Sequence, residues 1–302
     1  MLSKRGVLVS RLCCTSRVRP WSGRGYAVQV PTAVPSLQRS ATPLKSAPTL
    51  LKTLREVVSE SSVKHSRVRL VLEHLQRVPL ATLDFETLTF ACFAVTTSHY
   101  PKLRAGVHSV HGPLLPQPLV QALMLEWASR VGPSGEIADG NVTLPQVWRV
   151  CALAKVNAQI PAQAFHALKA AVVGCKTLGN CDSQEKLVDV GWALAKWERQ
   201  SRLQGKPDQM YSTTLTTDAL QAITDALNRG YMSGAYVSIK RYTKLCGACE
   251  MIGFRNLPLL DATASAIRRG HRGSNKTVLN GVDPNLVGKF MRSCSVLSYN
   301  PN

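Results

Sequence analysis

From about residue 49 onward, apolar positions recur three and four residues apart, which is the period of an α-helix with one buried face. Leu187, Val190, Gly191, Leu194 and Ala195 fall at i, i+3, i+4, i+7 and i+8 and predict a single apolar stripe. On this helix Trp192 and Leu194 are expected to differ in burial from Lys196. The stretches "LLKTLREVVSE" and "SVKHSRVRLVLEHLQRV" predict two further amphipathic helices.

A larger unit then repeats. "FACFAVTTSHYP", "VCALAKVNAQIP", "LCGACEMIGFRNLP" and "RSCSVLSYNP" end at Pro101, Pro161, Pro258 and Pro301, and Ala94, Ala154, Met251 and Cys294 stand seven residues before them. Each reads as the end of one helix, a short polar turn, and a proline. Proline suits the first turn of a following helix, where its missing N–H leaves no bond unmade. The second helices are predicted to stop near Gly112, Gly174 and Gly270, since glycine favours a helix C-terminus. The segment "WALAKWERQ" lacks this proline; an insertion leads instead to "TTDALQAITDALNRG", predicted to stop at Gly230. Asp182 with Glu185, and Asp283 with Pro284, mark helix starts. Short Ala-rich helices bury little surface alone, whereas stacked pairs bury a continuous seam. The expected fold is therefore all-α: degenerate helix-turn-helix repeats stacked as a short α-solenoid over residues 49–302. "ALAK" is written twice, at 152–155 and 193–196, because two neighbouring helices meet the same packing demand.

The segment "LVDVGWALAKWERQ" resembles the first helix of octotricopeptide-type repeats, which read like "LANLLWALAKLG" and are related to the degenerate repeats of RAP-domain proteins. The match covers residues 183–200, with weaker matches at 84–101 and 144–161. The copies here are not uniform in length, and no RAP domain is expected after them. The chain is also similar to divergent helical-repeat subunits of kinetoplastid mitochondrial RNA-editing and ribosomal assemblies. The resemblance implies RNA binding in an organelle.

Charge sharpens that implication. The net charge is +19, and residues 1–55 hold ten Lys or Arg and no acid before Glu56. An Arg- and Ser-rich, acid-free opening predicts a mitochondrial transit peptide over 1–26, cut after Tyr26 in "RGYA", followed by a Pro-rich linker over 27–48. Cleavage removes six positive charges and leaves about +13, so the mature chain is still strongly basic. Such an excess favours a polyanionic partner. No apolar run reaches membrane-spanning length, so a matrix protein without a membrane partner is expected.

Candidate chemistry is sparse. Cys246 and Cys249 form a CxxC, but a tetrahedral zinc site needs two more ligands and the pair lies within an apolar helical pattern, so both are read as core. His108 and His111 share a helical face without a third ligand, and His166 is read as a packing position. There is no Gly-rich phosphate loop, nucleophile elbow or paired acidic motif, and neither catalysis nor a metal or other cofactor is expected. The basic cluster is more informative: residues 229–276 hold nine Lys or Arg against two acids. Arg229, Lys240, Arg241, Lys244, Arg268, Arg269, Arg272 and Lys276 are candidate phosphate contacts, and Tyr242 a candidate base-stacking ring. Lys64, Arg67 and Arg69 form a smaller cluster. The expected function is a non-catalytic RNA-binding or scaffold subunit of an RNA-processing complex, with RNA-editing among the settings. Its expected partners are mitochondrial mRNA, guide RNA or rRNA, and protein subunits of a mitochondrial ribonucleoprotein. The alternative is a mitoribosomal subunit or assembly factor acting mainly through protein contacts.

Overall fold

The computed structural model describes residues 47–59, 65–104, 117–156, 158–175, 178, 184–203, 213–232, 238–269 and 282–301. The described chain is all-α. Its helices are α1 (Ala47–Ser59), α2 (His65–Leu75), α3 (Phe85–Arg104), α4 (Gln117–Ser129), α5 (Leu144–Cys151), α6 (Ala162–Gly174), α7 (Gln184–Leu203), α8 (Thr213–Met232), α9 (Ile239–Ile252), α10 (Leu257–Arg269) and α11 (Pro284–Val296). Two 3-10 turns, Leu80–Thr82 and Ala152–Val156, and a small antiparallel hairpin of β1 (Glu136–Ile137) with β2 (Gly140–Asn141) interrupt them.

Local signals set many of the ends. Asp84 opens α3 by accepting hydrogen bonds from the Thr87 N–H and hydroxyl, both at 2.7 Å. Thr143 and Gln146 form a capping box at α5, and Asp283 accepts from the Asn285 N–H at 2.9 Å ahead of Pro284 at α11. Pro161 occupies the N-cap of α6, and Pro258 is the second residue of α10. Gly253 closes α9 at φ +70°, a left-handed conformation that glycine adopts without a Cβ clash. Asn256 then caps α10 through the Leu259 N–H at 3.1 Å, while its amide donates to Thr224 at 3.0 Å and Gln221 at 3.2 Å. One side chain thus starts α10 and ties it to α8.

The helices pack in two rows. In the first, α1, α3, α5, α7, α9 and α11 contact one another in that order; in the second, α4, α6, α8 and α10 do the same. α3 pairs with α4, α5 with α6, α7 with α8, and α9 with α10, while α2 lies against α1 and α3. The predicted α7 stripe is buried throughout, and Val188, Ala193 and Trp197 are buried too, because α7 is flanked by α5, α8 and α9.

The two "ALAK" segments touch. In the first, the backbone tightens from α5 into the 3-10 turn. Lys196, from the second copy, donates to the Ala154 carbonyl at 2.5 Å, and the Trp197 indole N–H donates to the Ala158 carbonyl at 3.0 Å. Identical tetrapeptides therefore take different backbone geometries, with one satisfying the other.

Several expectations need correction. α3 runs through Pro101 to Arg104, so this proline lies in the last turn of the first helix and not at the start of a second one. α8 continues past Gly230 to Met232. Gly174 is the last residue of α6 with no left-handed cap: a Cβ there would stand 1.9 Å from the Ser134 carbonyl oxygen, so glycine is needed for close approach of the loop before β1. His166 is exposed rather than packed. Trp192 and Lys196 are both half-buried, while Leu194 is fully buried, so Trp192 does not share the seam. Gly112, Gly270, Asp182, His108 and His111 lie outside the described residues.

Candidate nucleic-acid interface

On α9 the 3.6-residue period divides the segment "IKRYTK" between two faces. Leu245, Cys246, Cys249 and Ile252, with Tyr242, face the core. Lys240, Lys244, Gly247, Glu250 and Met251 line the opposite side, where the structure forms a groove of about 680 Å³ between α7, α9 and α11. α7 contributes Trp192 and Arg199, and α11 contributes Leu286, Lys289, Arg292, Ser293 and Val296. A second hollow of about 760 Å³ continues toward the first "ALAK" turn and adds Lys155, Glu185, Asp189 and Arg241, sharing Trp192, Lys240 and Lys244. The whole furrow crosses the first row of helices and holds seven Lys or Arg against three carboxylates.

The electrostatics differ along it. Asp189, only 12% exposed, is a clasp: Lys244 reaches it at 2.5 Å, Lys155 at 2.9 Å, and the Trp148 indole N–H donates to it at 3.3 Å. Burial pushes its carboxyl upward, but the hydrogen bonds and charges of Lys244 and Lys155 outweigh that and hold it below the usual aspartate value. Glu250 binds Arg292 at 3.0 Å and the Ser293 hydroxyl at 2.8 Å. Lys196 and Lys244 lie 4.8 and 5.6 Å from the centre of the Trp192 ring, within cation–π range. Among the described residues, Arg199, Lys240 and Lys289 are exposed and have no ion-pair or hydrogen-bond partner on their side chains. The groove is thus positive mainly at its rim.

The structure separates the residues singled out from sequence. Lys240, Arg241 and Lys244 line the furrow, with Arg241 braced by Gln184 at 3.1 Å and Glu185 at 3.9 Å. Tyr242 is 1% exposed, its hydroxyl donating to Asn228 at 3.3 Å, and burial pushes its pKa up to about 12. It offers no ring to a base, which corrects the stacking expectation. Arg229 is exposed in the last turn of α8, and Arg268 and Arg269 in that of α10, apart from the furrow's lining. Arg272, Lys276 and Lys64 lie outside the described residues, while Arg67 and Arg69 fall within α2.

Sequence reasoning missed Trp192, Arg199, Lys289 and Arg292. The available signal was a stripe on α7 through Asp189, Trp192, Lys196 and Arg199, on the face opposite the apolar seam. Cys246 and Cys249 are buried; burial raises both thiols, Cys246 to about 12 despite its contact with Thr263 at 3.3 Å. Among the described residues no group of three or more His, Cys, Asp or Glu could hold a metal ion, and no helix is long and apolar enough to cross a membrane. Comparison with protein-family models, curated proteins and solved structures finds no match to this chain.

Proposed function

We propose that this protein is a non-catalytic RNA-binding subunit of a mitochondrial RNA-processing complex, built as a short α-solenoid and imported into the matrix. The observation that carries the reading is the furrow across the first helix row, with seven Lys or Arg against three carboxylates in a chain of net charge +19. Cations on stacked helices can follow a flexible phosphate backbone without desolvating much protein. mRNA, guide RNA and rRNA all offer that backbone, and an RNA-editing assembly is one setting consistent with it.

The reading predicts that the chain binds unrelated single-stranded RNAs with similar affinity, and that affinity falls steeply with salt as counterions are released. Fluorescence anisotropy across a salt series measures this. Absent or salt-independent binding would overturn it. A scaffold role within a mitoribosomal or assembly complex is the second reading, favoured by Met291 and Val296, 50% and 56% exposed on α11. Partners that stay bound after RNase treatment would support that alternative.

A further inference from the structure

Within the groove between α7, α9 and α11, one polar atom lacks its expected partner. Thr243 is 3% exposed and lines the groove, yet among the described residues its hydroxyl has no hydrogen-bond partner. A buried, unpartnered hydroxyl is unfavourable unless something supplies the missing bond. One helical turn on, Gly247 lines the same groove, and a Cβ placed there meets nothing within 4 Å. A glycine in mid-helix lowers helix stability, so its effect here is to keep the floor low. Trp192 and Met251 give that floor apolar surface, while Arg199, Lys240 and Lys289 stand around it with no ion-pair or hydrogen-bond partner among the described residues. Apolar floor, unpaired hydroxyl and uncompensated cations together describe a receptor for a planar, hydrogen-bonding group attached to phosphates.

We infer that this groove seats one unpaired nucleotide of a single strand, with its base over the Gly247 opening against Trp192 and Met251, the Thr243 hydroxyl bonding that nucleotide, and neighbouring phosphates on Arg199, Lys240 and Lys289. This rests on the RNA-binding reading and adds to it a place and a preference for unpaired bases. An acidic peptide matches the cations but leaves the aromatic floor and the Gly247 opening without a purpose. A duplex keeps its bases stacked inside and cannot deliver one to the floor.

The test uses the full chain with a fluorescein-labelled oligouridylate, the same strand annealed to oligoadenylate, and polyglutamate as competitor. Gly247→Phe fills the opening without changing charge and is expected to weaken single-strand binding about tenfold, with the salt slope unchanged. Thr243→Val is expected to fold at least as stably as the parent and to bind about fivefold more weakly. The Arg199→Ala, Lys240→Ala, Lys289→Ala triple variant is expected to weaken binding and flatten the salt slope. A parent that binds no RNA would remove the RNA-binding reading and this inference with it. A parent that binds RNA while folded Gly247→Phe and Thr243→Val bind equally well would overturn the groove alone. Equal affinity for the duplex, or competition by polyglutamate that is lost in Gly247→Phe, would also overturn it, the latter in favour of an acidic protein partner.

Discussion

Asp189 shows how one side chain joins several helices. It sits on α7 and takes lysines from both neighbours in the row, Lys155 from the turn after α5 and Lys244 from α9. Its folded pKa lies below the ordinary value near ~3.9. At acid pH the unfolded chain therefore binds more protons at this group. The clasp's contribution is fully present above the unfolded value and disappears as pH falls through the folded one. Asp189→Asn should lower stability at neutral pH by about 1–3 kcal/mol and leave a shallower acid limb. The same change removes a negative charge from the furrow and releases Lys244, so RNA affinity at low salt should rise several-fold. Urea unfolding at neutral and acid pH, together with anisotropy, reads both signs. Unchanged stability would mean that the lysines find equal partners elsewhere. In the sequence, Asp189 is one acid beside a buried stripe; that two lysines from other helices converge on it depends on contacts 34 and 55 residues apart.

At the scale of elements, two helical glycines have opposite meanings. At Gly174 a Cβ would collide with the Ser134 backbone carbonyl, and the nearby loop glycine, Gly135, is held at φ +80° against Ala170 and Ala171. Backbone cannot yield as a side-chain tip can. Gly174→Ala should destabilise by about 1–3 kcal/mol and loosen the loop before β1. Gly288, in α11, has open space around it, and Gly288→Ala should stabilise by about 0.5–1 kcal/mol. Thermal unfolding of the two variants side by side tests the contrast; shifts of the same sign would refute it. Helix starts were the most legible part of these elements, since Asp283 with Pro284, and Pro161, act within one turn; the Thr143–Gln146 capping box went unread. Gly174 was visible at a helix end, but its reason was not, because Ser134 lies forty residues away in the chain.

For the whole molecule, charge and composition bear on destination. On the proposed import reading, the acid-free opening ending in "RGYA" predicts a mature N-terminus at or near Ala27, which N-terminal sequencing of the endogenous protein checks. An intact Met1 in that protein would remove the import reading. The cleaved chain would still carry about +13, enough for salt-sensitive RNA binding by the helical part alone. The furrow exists only at this scale: α7, α9 and α11 each bring a stripe, and none encloses a groove by itself.

What the sequence by itself determined was the helical identity of the chain, the buried stripe of α7, the core placement of Cys246 and Cys249, and several helix starts. These follow from a 3.6-residue period and from caps that act within a turn, so a short window contains all the partners involved. Tertiary structure alone decided that "ALAK" is 3-10 at 152–155 and α at 193–196, and that the outward faces of α7, α9 and α11 meet to enclose one basic groove around Trp192. Each of those outcomes depends on which helix lies alongside. Helix adjacency is set by packing among residues tens of positions apart, and no local spacing encodes it.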